Sequence, residues 1–484
     1  MPQKVFLGAR MRRFREANRL TQAAFAEALD ISPSYLNQIE HDQRPLTLAV
    51  LQRLAARFRI DLHEFSDSAD DRLVANLQDV LNDPLLAGNR IGLKDLRRVA
   101  SAAPEVAQAM LTLHRAYRQS HDDYRSLAEK VIGDERLHGL EGAQFPYEEV
   151  RDYFYYRNNH IEELDEAAEA LQASEGFRVG DMEAGLAAYL HSRHGIAVAH
   201  FTPGEAEARG AAPLRRLDER EKTLYLADSL TSGQRAFQLA YHIGLASQRD
   251  GIEQLVAKAG LSSREAGAVC RMGLANYFAG ALLMPYGRFR ETAEGLRYDI
   301  EQLQLRFGAS FEQVCHRLST LQRPGAKGVP FYFLRVDMAG NISKRASAGR
   351  FHFARVGGAC PLWNVHEAFA APGRILTQLA QLPDGTTYLC VARTVTKGGG
   401  GFLSPEKRFA VSIGCEIAHA PKLVYSSGLD LDDPSAIVPI GTSCRVCERA
   451  DCAQRAFPPL GKAISVNVDE RRFTPFAFSA EEIG

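Results

Sequence analysis

Apolar residues over the first 66 positions recur at three- and four-residue spacing, in short runs that break at turn residues. Leu7, Met11 and Phe14 share one helical face of LGARMRRFREANRL. Thr21 is placed to cap a second helix, TQAAFAEAL, whose inward residues are Ala24, Phe25 and Leu29. Ser32 caps a third, with Pro33 at its first position and Tyr35, Leu36 and Ile39 on its buried side; Asp42 and Pro45 end it. TLAVLQRLAARFRI supplies a fourth. Short helices joined by tight turns predict a helix-turn-helix bundle.

The helical period continues over residues 67–135, broken at Pro84 and Pro104. The polar stretch VIGDERLHGLEGAQFPYEE predicts a boundary. In the aromatic-rich segment after it, Tyr147, Val150, Phe154 and Ile161 form one face, while Arg151, Tyr155 and Arg157 lie elsewhere. That pattern suits a packed helix, with a ligand cleft as the alternative. From 180 to 290 a helix, two strands (IAVAHFTP, LYLADS) and two long helices follow. The last third predicts a hairpin around Ala339-Gly340-Asn341 and strands in FHFARVGGAC, TYLCVARTV, RFAVSIGCEIAHA and KLVYSSG. It also predicts helices at VHEAF and ILTQLA, a turn at Asp384-Gly385, and a surface loop in KGGGGFLS beside Lys397. The fold class is multidomain: an all-α helix-turn-helix domain (1–66), a helical connector (67–140), and an α+β region in two parts (141–325 and 326–484).

Composition narrows the class. The chain has 484 residues, 45% apolar and 24% charged, which is ordinary for a globular protein. No run approaches the ~18 apolar residues of a membrane helix, and the first residues lack a signal-peptide core, so a cytoplasmic location and no membrane partner are expected. There, eight cysteines favour reduced thiols or metal ligands over disulfides. Up to Arg19, six basic residues (Lys4, Arg10, Arg12, Arg13, Arg15, Arg19) face one acid, Glu16, an asymmetry that suits phosphate binding.

RxxR at 10–13, LTQAAFA at 20–26 and SPSYLNQIEHDQRPLT at 32–47 resemble the Cro/C1-type (XRE) DNA-binding domains. The resemblance implies that the helix from Ser32 enters the major groove of operator DNA. Ser32, Ser34, Asn37 and Gln38 are then candidates for base edges, and Arg10, Arg13, Gln22 and Arg44 for phosphates. It also implies a two-fold homodimer. QRAFQLAYHIGLAS followed by ANYFAGALLMP resembles the ImmA/IrrE regulators with a zincin-like domain, in which an HExxH helix binds zinc. Here those positions hold Tyr241, His242, Ile243, Gly244 and Leu245, and Arg271-Met272-Gly273-Leu274 supplies no carboxylate. A peptidase is therefore disfavoured, and no enzyme activity is expected.

CPLWNVH (360–366), AVSIGCE (410–416), PIGTSCRVCERADCAQRAFPPL (439–460) and the trailing RRFTPF resemble the short-chain fatty acyl-CoA regulators, a group that includes regulators of propionate and acetate metabolism. The three resemblances run along the whole chain in that family's order. They imply a transcription factor that senses a short-chain acyl-CoA, some of whose members carry an iron–sulfur cluster. Cys444, Cys447 and Cys452, spaced C-x2-C-x4-C, fit one loop around a metal centre, with Arg445 and Arg449 beside them to stabilise thiolates. Cys415 or Cys360 completes a four-sulfur site, with His419 a weaker fourth ligand. An iron–sulfur cluster, zinc and unliganded thiols remain the alternatives. For acyl-CoA, arginine and an aromatic platform are needed, and Arg151, Tyr155 and Tyr241 offer both; Trp363 with His366 is the rival site. A redox or iron sensor is the alternative function.

Overall fold

The structure is a computed structural model and describes residues 8–18, 20–41, 43–58, 68–81, 83, 86, 91–131, 146–202, 213–349, 351, 360–398, 406–441, 443, 444, 447, 449–459, 462–470, 473, 474 and 476–482. It divides into two compact units, residues 1–144 with 460–463 and 479–484, and residues 145–459 with 464–478.

The first unit is helical. Helices α1 (Gly8–Ala17), α2 (Gln22–Ala28), α3 (Pro33–Glu40) and α4 (Leu48–Phe58) enclose a core of Met11, Phe25, Ala26, Leu29, Leu36, Ile39, Val50 and Leu54. Thr21 Oγ1 accepts from Ala24 N and Ser32 Oγ from Tyr35 N, so both caps close one orphan donor at a helix start. Ala24, expected inside, is exposed; Ala26 takes the core position because the face of α2 is set by Phe25 and Leu29. The turn after α2 passes through Asp30 at φ 53°, and Arg53 donates to the carbonyls of Leu29 and Asp30 that this turn frees. Helices α5 (Ser68–Leu81), α6 (Leu93–Ala102) and α7 (Pro104–Val131) pack through Leu73, Leu77, Leu96, Ala100, Ala107 and Leu111. Asp83, buried, joins His114 at 2.8 Å and Arg118 at 3.5 Å across this bundle.

The second unit sets helices against two sheets. Helices α8 (Pro146–Tyr156), α9 (Glu162–Glu175) and α10 (Glu183–His194) lead to strands β1 (Ala197–Phe201), β2 (Arg215–Asp218) and β3 (Thr223–Ala227), which pair in the order β1-β3-β2. Strand β2 has no counterpart in the sequence reading. Helices α11 (Ser232–Ser247), α12 (Arg249–Lys258), α13 (Arg264–Leu283), α14 (Tyr286–Gly295), α15 (Ile300–Phe307) and α16 (Phe311–Leu318) follow. Gly244 permits α13 to approach α11, since a Cβ there would lie 2.8 Å from the Phe278 ring.

Strands β4 (Tyr332–Asp337), β5 (Ile342–Ser347), β6 (Leu376–Gln381), β7 (Thr387–Gly398), β8 (Glu406–Glu416) and β9 (Ile437–Pro439) form one sheet ordered β5-β4-β8-β7-β6-β9. Its neighbours are antiparallel except β6 with β9. Both faces are covered, so β7 reads as a continuous apolar run that alternates between two cores. Leu389 and Val391 face the helical core, and Tyr388, Cys390 and Ala392 face the second. The helical core extends across the expected boundary at 325/326, because Phe331, Phe333, Leu379 and Val411 belong to it.

Three further readings change, all in the second unit. ILTQLA is strand β6, not a helix, with Leu379 and Ala380 on opposite faces. KLVYSSG runs through short 3-10 turns instead of a strand. Tyr147 is 68% exposed and leaves the face that Val150 and Ile161 share.

Candidate functional site

The reader's exposed side is organised from behind. Glu40 on α3 is buried and receives both Arg15 Nε (2.7 Å) and Nη2 (3.1 Å). Gln22, at the start of α2, donates one amide hydrogen to Glu40 (3.1 Å) and the other to Asn37 Oδ1 (3.2 Å). Gln22, expected on a phosphate, is thereby tied to Asn37 in this structure, and its remaining free group is an acceptor. Ser32 spends its hydroxyl on the cap, while Ser34 and Asn37 are exposed and Gln38 is half-buried. Gln38 O accepts from Gln43 N and Arg44 N, ending the helix. Arg44 is exposed, its guanidinium 5.7 Å from the Tyr35 ring centre. The side chains of Arg10 and Arg13 lie outside the described residues.

In the second unit, α11 carries Tyr241 and His242 where the zincin pattern has its first ligand and base. Arg215 on β2 lies 3.9 Å from the Tyr241 ring centre. Burial, then Arg215 and His194, lower His242 to about 4, which keeps it neutral at ordinary pH. His242 Nε2 and Arg215 Nη1 are buried without a hydrogen-bond partner among the described residues. Arg271 is paired with Glu253, so this helix supplies no third metal ligand. On α8, Arg151 binds Glu148 at 2.8 Å through Nη1, while its Nη2 is buried and unpartnered. Tyr155 is half-buried and meets Tyr156 edge-on at 5.7 Å. Trp363, by contrast, is buried in a filled aromatic core, stacked on Phe351 at 5.2 Å and 5.8 Å from Tyr332.

Cys360, Cys444, Cys447 and Cys452 line one pocket, with Gly441, Arg449 and Arg455. Cys360 and Cys447 are buried, and Cys444 and Cys452 are half-buried. Burial raises the Cys360 thiol, and hydrogen bonds from the backbone of Gly441 and Leu362 pull it down again. Gly441 is required where it stands, since a Cβ would meet Cys447 Sγ at 2.8 Å. Cys415, expected as a fourth sulfur, is not part of this pocket. Strand β8 buries it in the helical core, and that burial drives its thiol far upward. His419 is likewise outside the pocket.

Arg449, expected to stabilise thiolates, instead clamps the loop to the sheet edge, donating to the carbonyls of Ile440, Gln381 and Leu382. Arg445 lies outside the described residues. Arg455 is 7% exposed and donates to the carbonyls of Cys444, Cys447, Arg449 and Phe457. Its Nε has no partner, and no carboxylate among the described residues pairs with it. No three His, Cys, Asp or Glu side chains among the described residues are grouped to hold a metal ion as they stand.

Residues 11–65 match the helix-turn-helix family, residues 192–319 the IrrE N-terminal-like domain, and residues 320–476 the family described as short-chain fatty acyl coenzyme A regulator, C-terminal. The chain is 46% identical to the HTH-type transcriptional regulator PrpR of Mycobacterium tuberculosis, over 99% of this chain and 97% of that one. It is 45% identical to the propionyl-CoA carboxylase regulator of Cereibacter sphaeroides, over 98% of this chain and 99% of that one. The chain belongs to the short-chain fatty acyl-CoA regulators. A solved Mycobacterium tuberculosis transcriptional regulator is 52% identical, with a TM-score of 0.65, covering 69% of this chain and all 100% of that structure's.

For a transcriptional regulator of this family, the sequence reading missed Glu40, Arg215, Arg455 and the orientation of Gln22. Arg15 and Glu40 are separated by 25 positions, beyond any local period. Arg215 lies on the strand that the pattern did not announce. No helix among the described residues is long and apolar enough to cross a membrane.

Proposed function

We propose that this regulator reads an operator as a two-fold dimer, senses a short-chain acyl-CoA in its second unit, and holds an iron–sulfur cluster on Cys360, Cys444, Cys447 and Cys452. The observation that carries the cluster is the buried, uncompensated guanidinium of Arg455 beside four thiols. A buried cation needs an anion near it, and a centre with four thiolate ligands is anionic. Four thiolates are the ligand set of an iron–sulfur cluster, and a zinc ion would take the same four at about 2.3 Å. When bound, the cluster supplies one-electron chemistry and cross-links the loop. Arg455 holds the carbonyls of Cys444 and Cys447, so it sets where their side chains start. Arg449 anchors the same loop to the sheet edge. Anaerobic protein is expected to be brown and bleached by dithionite. Colourless protein with one tightly held zinc would make the loop a structural knuckle.

For the effector, the supporting observation is the pair of buried guanidinium nitrogens without acceptors, Arg215 Nη1 and Arg151 Nη2, with the Tyr241 ring under Arg215. Phosphate oxygens satisfy such donors, and aromatic faces receive adenine. Trp363 is already covered by Phe351 and Tyr332 and offers no free platform. Calorimetry with propionyl-CoA tests this: Arg215→Ala loses affinity at least about tenfold and Trp363→Phe does not. The reverse result moves the pocket to the second core.

A further inference from the structure

Glu312, in the first turn of α16, is buried against the six-stranded sheet. Three cations from three strands meet its carboxylate. Arg335 of β4 takes one oxygen at 2.7 Å, Lys397 of β7 is in direct contact with the other, and Lys344 of β5 stands 3.8 Å away. Burial alone would raise the Glu312 carboxyl; the three cations outweigh it and hold it down at about 2, so it stays charged. His316, one turn further on, is lowered to about 3 by burial and then by Lys344, so it is neutral and adds no charge. Among the described residues, the ion pairs of all three cations end on this single carboxylate.

The strand register decides which cation is left over. Lys344 is paired with Arg335 across β5 and β4, so the two side chains stand side by side on one face. Arg335 and Lys397 also lie over the Phe409 ring, at 4.5 Å and 5.9 Å from its centre. Lys344 is therefore beyond hydrogen-bond distance of the carboxylate and beside two like charges. It sits on the edge strand, with its side chain 48% exposed. Like charges disfavour an ammonium. Desolvation lowers the Lys344 ammonium too, and Glu312 opposes it; with the side chain half in solvent, Arg335 and Lys397 are the firmer cause. A lysine that gives up its proton more easily is the better nucleophile.

We propose that Lys344 is an acylation site that takes its acyl group from a short-chain acyl-CoA thioester, a choice of donor that rests on the effector reading above. The ammonium first loses a proton to solvent. Neutral Nζ then adds to the thioester carbonyl; the N–C bond forms, the C–S bond breaks, and the departing thiolate takes the proton that the new amide sheds. The products are an amide on Lys344 and free coenzyme A, with no oxidant or reductant consumed. The excess positive charge around Glu312 attracts the phosphates of the donor. The amide is uncharged, so acylation leaves Arg335 and Lys397 on Glu312 and removes the like charge between them and solvent.

Mass-spectrometric peptide mapping of the full chain incubated with propionyl-CoA, after digestion at acidic residues, tests this. Lys344 should acylate at an initial rate at least about fivefold above the exposed Lys94 and Lys258. Lys397→Gln frees one carboxylate oxygen for Lys344 and should slow its acylation at least about threefold, while Lys94 keeps its rate and circular dichroism is unchanged. A lysine that is merely exposed would not respond to that substitution. Equal labelling of Lys344, Lys94 and Lys258 overturns the site, and so does an unchanged Lys344 rate in Lys397→Gln. Calorimetry separates this result from the effector reading. Saturable propionyl-CoA binding without selective labelling of Lys344 removes the acylation site alone, and selective labelling without saturable binding removes the effector pocket alone.

Discussion

Arg317 and Arg455 are both buried arginines of the second unit, at 2% and 7% exposure, and their surroundings differ in one respect. Arg317 on α16 meets Asp165 of α9 at 2.6 Å, and Tyr277 of α13 donates to the same carboxylate at 2.7 Å. Burial alone would raise the Asp165 carboxyl; Arg317, His160 and Tyr277 outweigh it and hold it down near 2. That charge is balanced within the chain. Arg455 has carbonyl dipoles, from Cys444, Cys447, Arg449 and Phe457, and the Phe478 ring 4.7 Å away, but no carboxylate among the described residues. Carbonyls take the hydrogens of Nη1 and Nη2 without cancelling the charge, and Nε is left unpartnered among the described residues. The first site is finished when the chain folds, whereas the second has no carboxylate partner among the described residues, and the proposed cluster would supply its anion. A charge census therefore separates a structural ion pair from a ligand site where a count of donors does not.

Breaking the balanced pair should cost most. Arg317→Met leaves Asp165 buried and uncompensated, and urea unfolding should register about 3–5 kcal/mol of lost stability. The pH dependence has a definite sign. Asp165 titrates lower in the folded state than the ordinary 3.8, so its contribution is complete above that value and is lost as pH falls toward 2. In Arg317→Met the largest part of the depression is gone, with His160 and Tyr277 left to hold the carboxyl, and acid unfolding should begin at higher pH. A variant as stable as the parent at pH 7 would mean that the pair contributes nothing.

The unbalanced site should behave in the opposite way. In metal-free protein, Arg455→Met loses hydrogen bonds to carbonyls and should cost only about 1–3 kcal/mol, because no carboxylate is stranded. After anaerobic reconstitution the same variant should retain much less iron. Cys360→Ser should abolish the colour and Cys415→Ser should leave it, because Cys415 sits in the other core. Colour that depends on Cys415 and survives without Cys360 would overturn the placement of the centre.

Much of the reader was legible because its information is local. Thr21 and Ser32 cap where the pattern says they should, and Phe25, Leu29, Leu36 and Ile39 form its core. The three cysteines of C-x2-C-x4-C were legible for the same reason. The fourth thiol of that pocket was not, since Cys360 and Cys415 are equally solitary in sequence; Cys415 lies on β8 and faces the helical core, while Cys360 stands in the segment before the short helix Asn364–Glu367 and packs in the second core. ILTQLA misled through its spacing: Leu376, Leu379 and Ala380 read as a helical stripe, yet pairing with β7 imposes a strand. Contacts such as Arg215 over Tyr241 join residues whose partnership no period encodes.

The smallest effect expected is none at all, at the former peptidase helix. Tyr241→His would place a second imidazole next to His242, at i and i+1, which project about 100° apart on a helix. Zinc ligands of the HExxH type stand one turn apart on one face, and position 245 is Leu. His242 is buried beside the Arg215 guanidinium, so a dication there would meet positive charge in place of a carboxylate. The third ligand is absent as well, because residues 271–274 carry no acid and Arg271 is engaged by Glu253. Calorimetry should therefore find no tight zinc site in Tyr241→His, and casein digestion with added zinc should stay at background. The substitution should instead weaken propionyl-CoA binding, since it removes the ring under Arg215. Zinc-dependent proteolysis in either protein would sink the reading of this helix as an effector wall.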